Sequence, residues 1–275
     1  MSIALIDGDS LIYKSGFSFE FATVWNKLEI ELGVETEEVK TLSSDIYLSK
    51  KAIDAAIDNI LFKTGCDDYE IWLSGSNNFR YTVMDTYKHN RTTSKKPMCF
   101  DELKQHLLTH HKAKVVDGFE ADDIVVYLKT TYPLKYTLCA IDKDVLYQTE
   151  GNHYSYGKDD FVNVSYDDTI RFFWYQVLVG DNVDGYGGCK GIGKVKAQLI
   201  LDSALEYALT NKLDVNQTYC NVVYQTYIDN NHSYDDFIAT CRVASMKQVR
   251  YENNEFILSL IECSPGPMAT GLQAP

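Results

Sequence analysis

The sequence lacks the features that would place the protein in a membrane or in an oxidising compartment. No run of about 18 uncharged apolar residues occurs, so we expect no membrane-spanning helix. The apolar stretch that begins at Ser2 has no basic segment before it, so we expect no secretory signal. The seven cysteines are scattered and form no C-x-x-C pair, which argues against a zinc finger or a disulfide framework. We therefore expect free thiols in a reducing cytoplasm.

Positive charge is also scarce. Lysine and arginine number 26 against 39 aspartates and glutamates, which gives a net charge of −13 at pH 7. A protein that binds nucleic acid usually carries a basic surface instead. This objection weakens if many of the acids belong to one metal site, where bound cations offset them. Any contact with phosphates must then come from local basic segments.

Short apolar segments alternate with helical patterns along the first part of the chain. Strands are predicted at residues 2–6, 69–73 and 136–141, because each apolar run ends at polar or turn-forming residues. Helices are predicted at residues 51–63 and 120–132, where apolar residues recur every three or four positions. This order predicts an α/β fold with a central, mainly parallel twisted sheet flanked by helices.

The pattern divides the chain into an α/β domain at residues 1–163 and a mostly helical region at residues 164–263. Within the helical region, helices are predicted at residues 169–179 and 194–209, with a glycine-rich loop at residues 180–193 between them. Residues 264–275 contain proline and glycine without periodicity, which predicts a disordered tail.

Acidic residues recur where strands end or helices begin. Asp7 follows the first predicted strand, and Asp142 and Asp144 follow the strand at residues 136–141. Ligands of open α/β sheets bind outside the carboxyl ends of the strands. The other acids of this kind open a helix or lie in the glycine-rich loop: Glu120, Asp122, Asp123, Asp181 and Asp184. Each group alone is equally typical of a helix start or a turn.

The joint pattern favours a metal site. Glu120 and Asp123 are three residues apart and share a helix face. Asp142 and Asp144 are two apart and point the same way in an extended chain. Converging carboxylates repel one another unless cations lie between them. Oxygen-only ligation indicates Mg²⁺ or Mn²⁺ rather than zinc. Two ions about 3.5–4 Å apart suit in-line hydrolysis of a phosphodiester.

A basic run with interleaved tyrosines could hold the phosphate. It contains Arg80, Tyr81, Tyr87, Lys88, Arg91, Lys95 and Lys96. A solvated surface helix explains most such runs, but in an acidic chain a local basic segment is more informative. Lys88 and Arg91 would share a helix face and could stabilise charge on a reacting phosphate. Tyr81 and Tyr87 could stack on unpaired bases.

A second basic segment surrounds a glycine hairpin. It contains Lys190, Gly191, Gly193, Lys194 and Lys196. A glycine loop that enters a helix exposes backbone amides to a phosphate. The spacing does not match a Walker A loop. We predict a helix–hairpin–helix clamp at about residues 185–200 that would grip the duplex backbone without reading sequence.

Taken together, these motifs resemble the flap-endonuclease and 5′-to-3′ exonuclease family, which includes the 5′-nuclease domain of bacterial DNA polymerase I. The matches span about residues 6 to 197. In chain order they are Ile6-Asp7-Gly8-Asp9, Tyr87-Lys88-His89-Asn90-Arg91, Gly118-Phe119-Glu120-Ala121-Asp122-Asp123, Asp142-Lys143-Asp144, Gly180-Asp181-Asn182-Val183-Asp184-Gly185 and Gly191-Ile192-Gly193-Lys194.

The resemblance implies a fold and a chemistry. Residues 1–163 would be a catalytic domain with a PIN- and flap-endonuclease-like fold, and residues 79–108 would form an arch or clamp with Lys88 and Arg91 at its base. The eight acids named above would hold two Mg²⁺ or Mn²⁺ ions, and the hairpin would bind duplex DNA, with a possible K⁺.

The Asp184-Gly185-Tyr186-Gly187-Gly188 loop, the acidic balance and the compact size resemble the exonucleases of short-tailed phages. That similarity implies 5′-to-3′ digestion of duplex DNA, or primer removal from an RNA–DNA hybrid, with some flap cleavage. It also implies a monomer in the cytoplasm of a host cell.

Two departures from the family pattern leave alternatives open. The family usually carries an Asp after its second strand, where this chain has Ser74 and Gly75, and it commonly has Arg where this chain has Lys14, a predicted DNA contact. The missing Asp would weaken one metal, or leave it held through water on Ser74. A DNA-binding protein that has lost catalysis is therefore an alternative. A PIN-type RNase is another, against which the glycine hairpin argues.

Overall fold

The structure is a computed structural model that describes residues 2–33, 36–37, 39–90 and 95–266. The strands are β1 Ile3–Asp7, β2 Glu20–Val24, β3 Lys40–Ser44, β4 Asp68–Ser74, β5 Lys114–Val116, β6 Tyr136–Ala140, β7 Gly151–Ser155, β8 Asp160–Val164, β9 Gly180–Asp181, β10 Tyr186–Gly187, β11 Val249–Glu252 and β12 Glu255–Leu258. The helices are α1 Gly8–Ser18, α2 Lys27–Glu31, α3 Ile46–Thr64, α4 Arg80–Val83, α5 Phe100–Thr109, α6 Ala121–Thr131, α7 Lys143–Leu146, α8 Tyr166–Val179, α9 Lys194–Asn211, α10 Val215–Asp229 and α11 Tyr234–Ala244.

Six strands form the central sheet in the order β5-β4-β1-β6-β7-β8. All neighbours are parallel except β7 and β8. The central strand β1 is apolar along its length, and Ala4, Leu5 and Ile6 have no exposed surface, as is typical of a parallel strand covered on both faces. The predicted α/β fold class is confirmed. In the register, Asp7 lies opposite Trp72 of β4, so the carboxyl ends of the inner strands meet at one edge.

Helices cover both faces of this sheet. Helices α1, α3 and α5 pack on one face through residues such as Leu11, Ile57 and Leu103, and α6 packs on the other through Ile124 and Val125. Each of these side chains is at most 1% exposed and contributes about 1.5–3 kcal/mol on burial. The two layers fix the strand ends, and therefore the side chains that follow them.

The second half of the chain is mostly helical, as predicted, but it contains two pairings that the sequence analysis did not predict. Residues 180–193 were expected to form only loop, yet Asp181 of β9 pairs with Tyr186 of β10. The β11–β12 hairpin returns to the central sheet, where Phe256 packs edge-on against Trp72 with ring centroids 5.4 Å apart. Residues 249–258 therefore share a core with the α/β domain rather than with α8–α11.

Two expectations about the chain's environment can be compared with the structure. Among the described residues, no helix combines the length and the apolar character needed to cross a membrane. All seven cysteines are buried and unpaired. Most of the tail predicted to be disordered, residues 267–275, lies outside the described residues.

Candidate functional site

A pocket of about 720 Å³ opens at the carboxyl edge of the central sheet. Acidic side chains from four separate segments of the chain meet there. They are Asp7, Asp9, Glu120, Asp122, Asp142, Asp144, Asp181 and Asp184. Seven of these eight residues were nominated from the sequence, and the structure brings those seven together.

Two of the acidic pairs are held by the same local geometry. Asp7 begins α1 and accepts a hydrogen bond from the backbone N–H of Asp9 at 3.1 Å, and the Ser10 hydroxyl also donates to it. Asp142 begins α7 and accepts from the backbone N–H of Asp144 at 2.9 Å. In both cases a carboxylate at a strand end caps the following helix, and the acid two residues further on also lines the pocket.

Burial and mutual repulsion raise the pKa of several of these carboxyl groups. Burial, followed by the charge of Asp9, raises the pKa of Asp7 to about 7. Burial, followed by the charge of Asp142, raises the pKa of Asp144 to about 7. Burial and then the charge of Asp7 hold the pKa of Asp122 well above its usual range. Buried carboxylates that repel one another are typical of a site whose charge is balanced by bound cations.

Asp9 was missed by the sequence analysis. Its Oδ2 accepts the backbone N–H of Ser74 at 3.1 Å, beside the position after β4 where the family pattern has its own Asp. Burial raises the pKa of Asp9, and the nearby charge of Glu120 adds to the effect. The signal was present in the sequence, because Asp7 and Asp9 repeat the spacing of Asp142 and Asp144 at the end of a strand.

The backbone at Gly75 leaves no room for a side chain. A Cβ atom there would overlap Oδ1 of Asp117 and lie 2.5 Å from the carbonyl oxygen of Val116. Asp117 is held in place by the backbone N–H of Ser76, at 2.8 Å. The hydroxyl of Ser74 accepts the backbone N–H of Ala121 at 2.8 Å, so it positions the start of α6. Neither Ser74 nor Gly75 supplies a carboxylate, and Asp9 supplies one beside them.

The expectation that Asp123 is a metal ligand is wrong. Both of its oxygens accept hydrogen bonds from the Arg80 guanidinium, at 2.7 and 2.6 Å, and its side chain has no exposed surface. The two acids were expected to share a helix face, but Glu120 is the N-cap residue of α6 and Asp123 lies within its first turn. Glu120 lines the pocket, whereas Asp123 is buried in the core.

The expectation that Arg80 contacts DNA is wrong for the same reason. Arg80 is 1% exposed, and it also donates to the carbonyl oxygens of Val243, at 3.0 Å, and Ser245, at 2.9 Å. Four of its five donor hydrogens are hydrogen-bonded within the protein, and Nη1 also lies 3.6 Å from Oε2 of Glu120. These contacts leave Arg80 little capacity to bind a phosphate.

Lys88 contacts the acidic cluster directly. Its ammonium group forms an ion pair with Glu120 and lies 3.8 Å from Oδ1 of Asp184. Its backbone has a φ of 53°, a left-handed conformation that is costly for a residue with a side chain. The backbone N–H of Lys88 donates to the carbonyl of Asp184 at 2.7 Å, which helps to hold this conformation. The structure thus places the Lys88 ammonium beside the carboxylates, as expected, but in a turn rather than on the helix that was expected to carry it.

The base-stacking role predicted for Tyr87 is also wrong, since the ring is 2% exposed. Its hydroxyl oxygen lies 3.1 Å from Oε2 of Glu120 and 3.0 Å from Oδ2 of Asp184, so its single hydrogen is shared between the two carboxylates. Burial, followed by the charge of Glu120, holds the pKa of Tyr87 well above its usual range. Tyr87 therefore orients two pocket acids. The neighbouring Tyr81 is 52% exposed and lines the pocket.

The loop at residues 181–185 is fastened to the segment that carries Lys88. The side-chain amide of Asn90 donates to the carbonyl of Asn182 at 2.6 Å. Gly185 has a φ of +71°, and a Cβ there would lie 2.9 Å from Oδ1 of Asn90, so only glycine fits. Arg91 lies outside the described residues, as do the other residues up to 94 of the predicted arch at 79–108.

Other basic side chains border the pocket. Lys96 is exposed, lies over the Phe100 ring at 4.5 Å and lines the pocket, and Lys95 beside it is exposed. Lys104, which sequence reasoning missed, lines the pocket and donates to the carbonyl of Ser74 at 3.4 Å. Lys14 is exposed and donates to the carbonyl of Tyr156 at 3.1 Å, outside the pocket lining.

The glycine hairpin presents a separate basic surface. Gly191 has a φ of +80°, and Gly193 begins α9 without a side-chain cap. The lysines around it are all exposed: Lys190, Lys194 and Lys196. Exposed amides at a helix start with nearby lysines form a surface that suits a phosphate.

The fold is shared with solved 5′ nucleases. A bacteriophage T5 flap endonuclease, in a pseudo-enzyme–product complex with DNA and metal ions, is similar at a TM-score of 0.60 and 16% identity, covering 90% of this chain and 89% of that one. A T5 5′-exonuclease mutant is similar at 0.57 and 14%, covering 89% and 88%. The catalytic core of Rad2 in complex with DNA substrate is similar at 0.51 and 13%, covering 94% and 84%.

No protein-family model matches the chain, and no curated protein matches it in sequence. The structural comparisons confirm the predicted resemblance at the level of the fold.

Proposed function

We propose that this chain, which has the fold of the T5 and Rad2 nucleases, is a divalent-metal-dependent nuclease that hydrolyses DNA from 5′ ends. The observation that carries the proposal is the ring of eight carboxylates around one pocket, with Lys88 paired to Glu120 among them. The T5 and Rad2 structures named above contain DNA, which supports DNA as the substrate class. Exonuclease action on duplex DNA, with some flap cleavage, is the specific activity that we propose.

The donor set of the pocket fits Mg²⁺ or Mn²⁺. Every candidate ligand is a carboxylate oxygen, and hard divalent cations prefer oxygen. Asp7, Asp9, Asp122, Asp142 and Asp144 would hold the ions with their neighbours Glu120, Asp181 and Asp184. When bound, two such ions supply Lewis-acid polarisation of the phosphate and an activated water. A K⁺ ion at the glycine hairpin stays a prediction.

The chain's own cations would act on the substrate phosphate. Lys88 pairs with Glu120 in the structure, and its flexible stem allows the ammonium to move to a phosphate oxygen. There it would stabilise charge that develops during hydrolysis. Lys96 and Lys104 line the same pocket and would attract the backbone of the incoming strand. The exposed lysines of the hairpin would hold the duplex beyond the cut, as phosphate contacts without sequence preference.

Lys88→Ala is expected to slow single-turnover cleavage by about 10²–10³-fold, the cost of removing one donor to transition-state charge. DNA affinity should change by only a few fold, since one phosphate contact is lost. Rapid-quench kinetics with saturating enzyme separates the two effects. Lys95→Ala, which removes an exposed lysine of the same segment, serves as the matched control. An unchanged single-turnover rate in Lys88→Ala would exclude the assigned role.

Asp9→Asn is expected to weaken the apparent affinity for Mg²⁺ by about 10–100-fold, whether Asp9 holds the ion directly or through water. The measurement is a Mg²⁺ titration of the cleavage rate. Adding Gly75→Asp to this variant should not restore the affinity, because the backbone there leaves no space for a Cβ. Rescue by Gly75→Asp, or an unchanged Mg²⁺ requirement in Asp9→Asn, would count against Asp9 as the replacement carboxylate.

The proposed function is tested with 5′-end-labelled duplex DNA and 5′-flap DNA in Mg²⁺, in Mn²⁺ and in EDTA. Short labelled products from the duplex, abolished by EDTA, would establish the exonuclease. Cutting only at the flap junction would identify a structure-specific endonuclease. Binding without cleavage in either metal would favour the family member that has lost catalysis. A preference for single-stranded RNA would favour the PIN-type RNase.

A further inference from the structure

Three histidines surround one aspartate on the side of the molecule away from the pocket. Asp54 belongs to α3, His106 to the last turn of α5, and His110 and His111 follow directly. A single oxygen of Asp54, Oδ1, lies 2.7 Å from Nε2 of His106 and 2.9 Å from Nε2 of His111. Two imidazoles from one segment thus converge on one carboxylate oxygen of another helix.

This cluster is remote from the acidic pocket. The hydroxyl of Tyr69, near the start of β4, lies 2.9 Å from Nδ1 of His111, whereas Ser74, at the end of the same strand, lines the pocket. Five residues of extended strand span about 16 Å. Helix α5 leads to the same separation. Phe100 at its start lines the pocket, and His110, which follows its last residue, lies about 15 Å further along the helix axis.

The donor atoms lie at spacings that a metal ion could bridge. One carboxylate oxygen of Asp54 and one nitrogen each from His110 and His111 all lie within 4.8 Å of one another. The ring centroid of His106 lies 5.1 Å from that of His110 and 5.1 Å from that of His111. The centroids of His110 and His111 are 4.9 Å apart. Ligand atoms of a tetrahedral zinc ion lie about 3.3 Å apart, so small side-chain rotations would suffice.

The surroundings of the cluster match those of a ligand set. Metal-binding histidines usually hydrogen-bond through their second ring nitrogen, which fixes the ring, and the hydroxyl of Tyr69 is such a partner for His111. The second oxygen of Asp54 lies 3.4 Å from the ammonium of Lys51, so Oδ1 is left to face the imidazoles. His111 and His106 are 8% and 14% exposed, while His110 is exposed and gives an ion access from solvent.

We propose that Asp54, His106, His110 and His111 bind one Zn²⁺-class cation that joins α3 to α5 at the amino edge of the sheet. Imidazole ligands select zinc, nickel or copper over magnesium. The carboxylates of the pocket have the opposite preference. The chain would therefore hold two chemically distinct metal sites, and saturation with Mg²⁺ would leave this one available.

The test is a calorimetric titration of the whole protein with Zn²⁺ in excess Mg²⁺. We expect one Zn²⁺ per chain, and at least about 10–100-fold weaker binding in His110→Ala and in His106→Gln. His110 is exposed, so its removal should not disturb folding. His232→Gln, a histidine outside the cluster, and Asp122→Asn, in the pocket, should bind Zn²⁺ as the wild type does. No binding in excess Mg²⁺, or binding that both cluster variants retain, would overturn the proposal.

Two further readouts separate this site from other ways of binding zinc. Zn²⁺ should raise the melting temperature of the wild type by mass action but not that of the cluster variants. Substituted Co²⁺ should give the visible bands of a tetrahedral nitrogen–oxygen site. A thiolate charge-transfer band would assign the ion to cysteine and contradict the proposal.

Discussion

Asp122→Asn is expected to lower the rate of duplex cleavage in Mg²⁺ by about 10³-fold or more, which corresponds to about 4 kcal/mol of transition-state stabilisation. Asp122 lines the pocket among the other acids, and burial followed by the charges of Asp7 and Glu120 raises its pKa, which opposes its ionised form. Bound cations would offset this repulsion, so the amide removes both charge and ligand while keeping the shape. DNA binding should persist, because the lysines proposed to contact phosphate are unchanged.

Stability measurements distinguish this outcome from simple unfolding. Without metal, Asp122→Asn should melt at a higher temperature than the wild type, since a repelled and desolvated carboxylate is gone. Adding Mg²⁺ should stabilise the variant less than the wild type. Asp160→Asn, which changes an exposed acid of β8, is the matched control and should alter neither property. Cleavage by Asp122→Asn above a tenth of the wild-type rate would contradict the metal assignment.

Arg80→Ala is expected to lower the free energy of unfolding by about 3–5 kcal/mol, the usual cost of breaking one side of a buried ion pair. The substitution leaves Asp123 charged and without exposed surface, and it removes the hydrogen bonds that join α4 to the end of α11. Arg80→Lys should rescue little, because an ammonium cannot reproduce the two-pronged contact. Urea denaturation monitored by circular dichroism measures the effect.

The surface pair of Arg171 and Asp202 provides the control for this experiment. Its atoms also lie close, at 2.8 Å, but the side chains are 33% and 63% exposed. Arg171→Ala should therefore cost about 0–1 kcal/mol. If Arg80→Ala cost no more than Arg171→Ala, the interpretation of Arg80 as a structural residue would fail.

The spacing of acids at strand ends was enough to predict much of the carboxylate site. The D-x-D phrase at residues 142–144 follows an apolar strand, and strand ends in an α/β sheet meet at one edge, so sequence reasoning could place those acids near Asp7. The same rule applied to Asp9, whose spacing is identical. Asp9 was not predicted because it lies inside the first turn of α1, and only the register of β1 shows that its side chain reaches the same edge.

Long-range partners could not be predicted from spacing. The contact between Arg80 and Asp123 joins residues 43 apart, and that between Arg80 and Val243 joins residues 163 apart. The basic run and the acidic start of α6 both indicated functional residues. One residue of each, Arg80 and Asp123, is instead buried where α4 packs against α6 and α11. The return of β11–β12 to the central sheet depends likewise on packing between distant segments, such as Phe256 on Trp72.

The bonds between the 181–185 loop and the Lys88 segment have a consequence for how the site assembles. Lys88 and Asn90 are tied to this loop by the contacts to Asp184 and Asn182. These hydrogen bonds couple the loop that carries Asp181 and Asp184 to the segment that carries Lys88. If the proposed function is correct, a movement of either segment would shift metal-binding carboxylates and the phosphate-binding ammonium together. Metal binding and phosphate binding would then be thermodynamically coupled.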